Sequence, residues 1–190
     1  MSTLLRIFLL TCLLPLNLLA QPVSLTVDLQ APPRPLPPYW QATGYSPAAM
    51  TLNPDFRLYL NYLKALPGEA VEFIRPHYLL DHVQVENPGT EAVSYDFSQL
   101  DEILDALVEN DLKLIFELMG NPGGYFTDYM DSTQLYAWRD LVSALAAHLI
   151  DRYGQEEVRS WYFETSNEPD IRHFWTQGIL PFLRYYDACS

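Results

Sequence analysis

The ten residues from Trp161 to Asp170 read WYFETSNEPD, an aromatic and β-branched run that ends abruptly in Asn167-Glu168-Pro169. Pro169 cannot donate a ladder hydrogen bond, so we expect a strand to end there. Such a strand places a carboxylate and an amide together at the rim of a sheet. A rim carboxylate beside an amide is typical of sites that cleave sugars, because the glycosidic oxygen must be protonated as it leaves.

Strand and helix patterns alternate through the rest of the chain. Apolar and β-branched runs predict four strands, at residues 39–43, 71–75, 112–119 and 158–164. The helical spacing of apolar residues predicts a helix after each strand, at residues 53–66, 98–108, 135–153 and 171–188. Four βα units in sequence predict an α/β fold with a parallel sheet and helices packed outside it. Both a doubly wound sheet and the first half of a (β/α)8 barrel fit, and the absence of nucleotide-binding motifs favours the incomplete barrel.

Length and composition divide the chain into three parts. Residues 1–20 have a basic start at Arg6 and a short apolar run, which predicts a secretory signal peptide. Residues 21–38 combine a strand pattern at 23–29 with a proline-rich linker. Residues 39–190 hold the barrel pattern, and a complete (β/α)8 barrel typically needs about 250 residues. We therefore expect the 190 residues to be an incomplete copy.

The chain is acidic, with 11 basic and 24 acidic residues and a net charge of −13. Such a surface repels nucleic acid and anionic lipid, so neither is an expected partner. No segment after the leader is apolar enough to span a membrane. Loss of the leader leaves Cys189 as the remaining cysteine, so no intrachain disulfide is expected. A secretory route predicts a lysosomal or extracellular location.

Polar side chains stand at the carboxyl end of each predicted strand, where a barrel keeps its chemistry. No histidine and cysteine cluster has metal-ligand spacing, so neither a metal nor another cofactor is expected. No Ser-His-Asp or Cys-His constellation is evident. The residues at the strand ends are Thr43-Gly44-Tyr45, His77, Glu117 and Asn167-Glu168.

Several stretches, in order from about residue 40 to the end, resemble the amino-terminal part of glycoside hydrolase family 39. The Asn-Glu-Pro triplet alone is unspecific, but the ordered set is specific. The matching stretches are Ser46-Pro47, RPHYLL at 75–80, FELMG at 116–120, FTD at 126–128, WRDLVS at 138–143, FETSNEPD at 163–170 and YYDAC at 185–189.

The resemblance implies a (β/α)8 barrel that acts as a retaining glycosidase. In the most similar branch of the family, the substrate is a terminal uronic acid at the non-reducing end of dermatan or heparan sulfate. Glu168 would be the general acid/base, and Asn167 would bind the sugar hydroxyl next to the reacting carbon. His77, Pro47, Glu117 and the Gly120 loop would contact the substrate. The strand at 23–29 would belong to an accessory β-sandwich.

Two positions depart from the family pattern and bear on sugar specificity. Ser166 stands where the family usually carries Trp, and Thr51 stands where a histidine contributes to the sugar site. β-Xylosidase activity, also known in the family, is therefore an alternative. A truncated product without turnover, with open sheet edges that invite aggregation, is another.

Retaining hydrolysis needs a second carboxylate roughly 5 Å from the first. In such barrels it comes from the seventh strand, so we expect the nucleophile to be absent from these residues. An orienting role suits Glu117 better than that of a nucleophile. Glu164 is expected to be a buried structural partner, and Arg75 to pair with Glu117 or Glu168. Apolar cover over the acid is expected from Tyr162, Phe163 and Trp175.

Overall fold

The computed structural model describes residues 24–26, 28–30, 32, 40–67 and 70–190. The chain divides into two units, Met1–Pro37 and Pro38–Ser190. In the first unit, Asp28 Oδ1 accepts a hydrogen bond from the backbone of Gln30 at 2.9 Å, and residues 24–26 and 28 lie in no strand. The strand predicted at 23–29 is therefore not seen at the residues described. The predicted signal peptide and most of the proline-rich linker lie outside them.

The second unit is built on a four-stranded parallel sheet, which confirms the predicted α/β fold. Its strands lie side by side in the order in which they occur along the chain. A doubly wound sheet reverses that order in its middle, so the observed order does not fit it. The strands are β1 (Ala42–Tyr45), β2 (Phe73–Pro76), β5 (Lys113–Glu117) and β6 (Tyr162–Glu164).

Five helices follow these strands in the described part of the chain. Two of them begin at side chains that cap free backbone amides. Asn53 accepts a hydrogen bond from the amide of Asp55 at 2.9 Å, and Asp131 accepts one from Thr133 at 2.8 Å. The helices are α1 (Pro54–Lys64), α2 (Ser98–Val108), α3 (Ser132–Tyr153), α4 (Gln155–Arg159) and α5 (Ile179–Ala188).

The connection between β2 and α2 has secondary structure of its own, although no strand or helix is predicted there. It contains a 3₁₀ turn, Leu79–His82, and an antiparallel hairpin of β3 (Gln84–Glu86) and β4 (Ser94–Asp96). The helix predicted at residues 98–108 begins at Ser98 itself, and Asp96 Oδ1 accepts the Ser98 amide at 2.8 Å.

Two predicted boundaries near the end of the chain are also wrong. The strand expected at 158–164 begins only at Tyr162, because Gly154 turns the chain at φ 85° and α4 follows it. Glu156 and Glu157 in the first turn of α4 favour that helix. The helix expected from residue 171 begins at Ile179, after Gly178 at φ 86°.

The two faces of the sheet differ in burial. On one face, Ile74, Leu114 and Phe116 are completely buried. On the opposite face, Arg75 is partly exposed and Tyr162 is 61% exposed. Among the described helices, none is long and apolar enough to cross a membrane. The buried face shares its core with helix and loop residues that include Leu60, Leu79, Leu104, Leu107, Trp138, Leu141 and Leu149.

Candidate active site

Polar side chains from three neighbouring strands meet at one rim of the sheet. His77 directly follows β2, Glu117 is the last residue of β5, and Glu168 lies in the loop after β6. Because parallel strands end at the same edge, the register that pairs Glu117 with Glu164 brings these loops together. The structure thus places the predicted residues of three strands side by side.

Arg75 connects the strands of this rim through its guanidinium. Its Nη2 lies 2.6 Å from Glu117 Oε1 and also contacts Glu164 Oε1, to which Nε donates at 3.1 Å. The same Nη2 donates to Asn167 Oδ1 at 3.1 Å. Burial opposes the charge of Arg75, but the hydrogen bond to Glu164 and the charge of Glu117 outweigh it and raise its pKa. Arg75 therefore pairs with Glu117, one of its two expected partners, and also with Glu164.

Glu117 is completely buried and lies in an environment that favours its protonated form. Burial and the neighbouring Glu164 raise the pKa of Glu117 to about 8, against the charge of Arg75. Its Oε2 lies 2.6 Å from His77 Nδ1. A nucleophile must be ionised and must reach the anomeric carbon. The environment of Glu117 therefore suits a group that orients His77 and does not suit a nucleophile.

His77 is held so that one ring nitrogen is left for a ligand. Burial and the charge of Arg75 lower the pKa of His77, which keeps the imidazole neutral near neutral pH. Protonated Glu117 can donate to Nδ1, which leaves the ring proton on Nε2. Nε2 has no hydrogen-bond partner within the described residues. His77 can therefore donate a hydrogen bond from Nε2 into the space above the sheet.

Glu168 lies exposed at this rim in a strained backbone conformation. Its φ is 37°, in the left-handed region that residues other than glycine rarely adopt. Asn167 Nδ2 lies 3.5 Å from Glu168 Oε2, and the Glu168 carbonyl accepts the Ile171 amide at 2.9 Å. Arg75 Nη2 donates to Asn167 Oδ1, so the guanidinium and the Glu168 carboxylate lie on either side of the same amide. Strain of this kind is concentrated at functional sites.

Tyr185 holds the loop that carries Glu168 in place, and it is not among the residues predicted from the sequence. The side chain is 3% exposed, and its hydroxyl donates to the Leu118 carbonyl at 2.5 Å and contacts the Thr165 carbonyl. It therefore ties the end of β5 to the end of β6. The sequence offers no signal for this role beyond the helical spacing that buries Tyr185 and exposes Tyr186.

The loop after β1 reaches the same rim. Of the two residues of this loop considered in the sequence, Pro47 lies at the rim and Thr51 does not. Pro47 is exposed, and the next residue, Ala48, donates its amide to the His77 carbonyl at 2.9 Å. Thr51 is completely buried and hydrogen-bonds the hydroxyl of Tyr45, whose pKa burial raises to about 12. Thr51 therefore packs beneath the loop and does not face the rim.

The expected supporting residues are only partly where they were predicted. The Glu164 side chain is 30% exposed, so it is half-buried and paired with Arg75. Tyr162 and Phe163 are 61% and 47% exposed, and Phe163 lies against Phe116, with ring centroids 5.7 Å apart. The cover predicted from these two residues is therefore wrong: the alternation of β6 directs Phe163 to the helix side, and Tyr162 lies at the start of β6 against Phe73, at the edge of the sheet opposite the rim.

A cleft of about 320 Å³ opens beside Ser166. The Gly120 loop forms part of its wall, whereas His77, Pro47 and Glu168 are not among the residues that line it. Gly120 has φ 137°, and a Cβ there would lie 2.7 Å from the Asp81 amide nitrogen, so only glycine fits. Trp175 also lines the cleft and stacks on Tyr129, with ring centroids 5.6 Å apart.

Within the described residues, no group of three acidic, histidine or cysteine side chains could hold a metal ion.

Comparison with known proteins gives a consistent result along the chain. Residues 23–190 match the family model described as glycosyl hydrolases family 39. The curated α-L-iduronidase of Mus musculus is 44% identical over 188 residues, which cover 93% of this chain and 29% of that protein.

Solved structures show the same likeness in three dimensions. A bacterial orthologue of human α-L-iduronidase has 46% sequence identity and a TM-score of 0.76, over 82% of this chain and 25% of that one. A monomeric β-xylosidase from Caulobacter crescentus has 28% identity and a TM-score of 0.67, over 80% of this chain and 32% of that one. The chain spans less than a third of the length of each of these relatives.

Proposed function

The chain belongs to family 39 of the glycosyl hydrolases, and we propose that it supplies the acid/base side of a retaining glycosidase site. The observation that carries the proposal is the Glu168 carboxylate beside the Asn167 amide, with Asn167 held by Arg75. A rim carboxylate next to a fixed amide can protonate a glycosidic oxygen while the amide holds a neighbouring hydroxyl.

The proposed architecture is the first half of a (β/α)8 barrel. Parallel strands in chain order, helices on the buried face and polar residues at the carboxyl rim all fit that architecture. The opposite face, which carries Arg75 and half-exposed Glu164, would be the barrel interior.

The proposed reaction proceeds in two steps. In the first, Glu168 gives its proton to the leaving oxygen while a second carboxylate attacks the anomeric carbon and the glycosidic bond breaks. In the second, Glu168 takes a proton from water, the water oxygen bonds to the same carbon, and the bond between that carbon and the second carboxylate breaks to release the sugar. Arg75 accepts no proton in either step; it holds Asn167 Oδ1, which leaves Nδ2 for the sugar.

The contacts proposed for the substrate follow from the geometry of the rim. His77 would donate from Nε2, because Glu117 occupies Nδ1. Pro47 would border the sugar from the loop after β1, which is tied to the His77 backbone. Glu117 would act through His77 rather than touch the reacting carbon, since its side chain is completely buried.

The proposed substrate is a terminal uronic acid of a glycosaminoglycan such as dermatan or heparan sulfate. The support is the likeness to the mouse enzyme and to the bacterial orthologue. A β-xyloside is the second candidate, because Arg75, the cation at the described rim, is already paired with two carboxylates. A secretory route to the lysosome or the cell exterior is also proposed for the protein.

The test is hydrolysis of a fluorogenic α-L-iduronide and of the matching β-xyloside at acidic pH, with and without sodium azide. Azide can attack the anomeric carbon from outside, so turnover does not depend on a second carboxylate from the chain. We expect faster release from the iduronide, and loss of release in Glu168→Gln but not in Glu109→Gln, which lies exposed at the end of α2. Equal rates in the two variants would contradict the acid role, and faster release from the xyloside would select the second candidate.

A further inference from the structure

The parallel sheet of the second unit has two open sides. Among the residues that the structure describes, β1 pairs only with β2 and β6 pairs only with β5, so no strand lies beside the outer backbone groups of either. All four strands of the sheet run in the same direction. The sheet could therefore continue from β6 of one copy into β1 of another without any change of strand direction.

The helices beside these two open sides each expose large apolar side chains at helical spacing. Residues three or four apart lie on the same side of a helix, so each set forms a stripe. Exposed apolar patches on neighbouring residues mark interaction surfaces. The α1 stripe consists of Leu58, Tyr59 and Tyr62, and the α5 stripe consists of Ile179, Leu183 and Tyr186, each at least 46% exposed.

The α1 stripe faces away from the neighbouring helix α2. Arg57 pairs with Glu102 of α2 at 2.9 Å, which identifies the side of α1 that faces α2. A helix turns by about 100° per residue, so Tyr62 lies about 140° around α1 from Arg57. The α1 stripe is therefore directed to the side on which β1 has no neighbouring strand.

The α5 stripe has the corresponding direction at the other side of the sheet. Arg184 donates to the Met130 carbonyl at 2.6 Å, just before α3, which identifies the side of α5 that faces α3. Two residues turn a helix by about 200°, so Tyr186 lies on nearly the opposite side of α5 from Arg184. The α5 stripe is therefore directed beyond β6.

The outer strands also carry uncovered aromatic side chains. Tyr162 and Phe163 are both exposed, and as neighbours in β6 they lie on opposite faces of the sheet. A further strand and helix beyond β6 would cover Tyr162 from the inner face and Phe163 from the helix layer. Trp40, two residues before β1, is exposed at the other side of the sheet.

We propose that two copies of this chain close one barrel around a twofold axis, with β6 of each copy beside β1 of the other. A closed barrel that side chains can fill has about eight strands, and two four-stranded sheets supply them. The same arrangement brings each α5 stripe against the α1 stripe of the other copy. The rim that carries Glu168 would then form one half of an enclosed site, opposite the rim of the second copy. The inference rests on the half-barrel architecture proposed above and not on the acid role of Glu168.

A second copy fits these surfaces better than an unrelated strand does, because the two open sides complement each other. An unrelated strand on one side would leave the other side and its stripe exposed. The two stripes, Trp40, Tyr162 and Phe163 together expose on the order of 1,000 Å² per copy, and a stable interface buries about 800 Å² per partner. The exposed apolar surface is therefore large enough for a stable dimer.

The first test is sedimentation equilibrium of the full chain at about 20 μM, a concentration at which a micromolar dimer is mostly formed. We expect twice the mass of one chain. We also expect tighter association at higher salt, because each copy has a net charge of −13 and salt screens the repulsion. A monomer would overturn the proposal, and so would a series of larger oligomers, which indicates contacts that do not close.

Substitutions in the two stripes test whether they form the interface. Tyr62→Lys and Leu183→Glu should each raise the dissociation constant of the dimer by about tenfold or more, because each places a charge against an apolar surface in both interfaces. Tyr136→Lys is the matched control, because Tyr136 is as exposed as Tyr62 but lies on α3, between the two open sides. A dimer that is weakened no more by the stripe variants than by the control would overturn the proposal.

A mixture of the two stripe variants tests the twofold closure itself. In the mixed dimer one interface is unaltered, and the other places the new ammonium near the new carboxylate. We therefore expect the mixture to dimerise with a dissociation constant within about threefold of the unaltered chain, although each variant alone does not. A mixture that remains monomeric would contradict the pairing of α1 with α5. These measurements need no turnover, so their failure would leave the hydrolysis assay of Glu168→Gln unaffected.

Discussion

The guanidinium of Arg75 lies 2.6 Å from the carboxyl oxygen of Glu117, a side chain that has no exposed surface. The same guanidinium holds Asn167, which stands next to Glu168. A buried group under the sheet rim is thus linked through one side chain to the exposed residues of the candidate site. The stability of the rim and its chemistry should therefore change together when this link is altered.

Arg75→Lys should destabilise the chain and weaken its catalysis. A planar guanidinium reaches Glu117, Glu164 and Asn167 at once, and a lysine ammonium cannot reproduce that geometry. We expect the free energy of unfolding to fall by about 2 kcal/mol, which is less than the roughly 3 to 5 kcal/mol for a buried pair that loses one partner, because lysine keeps the charge. Urea denaturation at pH 7 measures the change.

The matched control for this substitution is Arg159→Lys. Arg159 pairs with Glu156 at 3.5 Å, and both side chains are largely exposed, so the effect should stay within about 0.5 kcal/mol. Similar losses of unfolding free energy in the two variants would contradict a stabilising role for the Arg75 contacts.

Glu117 should make the chain less stable as the pH rises. Its pKa is raised from 4.5 to about 8 in the folded chain. Between these pH values the folded state binds more protons than the unfolded state, so the free energy of unfolding falls as pH increases through that window. We expect the fall to be on the order of 2 kcal/mol, and Glu117→Gln should abolish it because glutamine does not titrate.

The measurement is urea denaturation of wild type and Glu117→Gln from pH 4.5 to pH 8. Burial lowers the pKa of His77, which gives a slope of the opposite sign at acidic pH, so the difference between the two proteins is the quantity to plot. A difference that does not vary with pH would contradict the raised pKa of Glu117.

Tyr185→Phe should loosen the loop that carries Glu168. The substitution removes the hydroxyl that donates to the carbonyls of Leu118 and Thr165 and leaves these acceptors without that partner. We expect this to lower the free energy of unfolding by about 1 to 2 kcal/mol. Thermal or urea unfolding measures the cost, and hydrogen exchange of the Ile171 amide, which bonds the Glu168 carbonyl, reports the loop directly. Tyr186→Phe is the neighbouring control, because Tyr186 is 51% exposed. Equal effects of the two substitutions would contradict the role given to Tyr185.

The sequence predicts the residues at the rim well because their positions follow from the order of strands and helices. Alternating strands and helices specify a parallel sheet, and the ends of parallel strands share one edge. His77 directly follows a strand, Glu117 ends one and Glu168 lies in the loop after another, so their meeting at one edge needs no knowledge of side-chain packing. Of the two partners predicted for Arg75, Glu117 is present for the same reason, and Glu164 takes the place expected for Glu168.

The features that the sequence does not predict depend on register and on how loops pack. Tyr185 reaches two carbonyls only because α5 lies over the ends of β5 and β6, which no local pattern encodes. The strand-like residues from Val158 onward overlap the end of α4, which runs to Arg159, so the sequence pattern does not predict this helix. Trp161, just beyond it, is buried and donates to Glu157 of α4. The cleft beside Ser166 likewise depends on the path of residues 171–178, which were predicted as helix.

The most direct test of the proton-donor role of Glu168 is the dependence of the Glu168→Gln effect on the leaving group. A 2,4-dinitrophenyl glycoside leaves without protonation, whereas a methylumbelliferyl glycoside of the same sugar needs an acid. With azide present as the external nucleophile, we expect Glu168→Gln to lower kcat/KM by about 100-fold or more for the methylumbelliferyl substrate, and by less than about tenfold for the dinitrophenyl substrate. An equal loss on both substrates would contradict the assignment of Glu168 as the general acid.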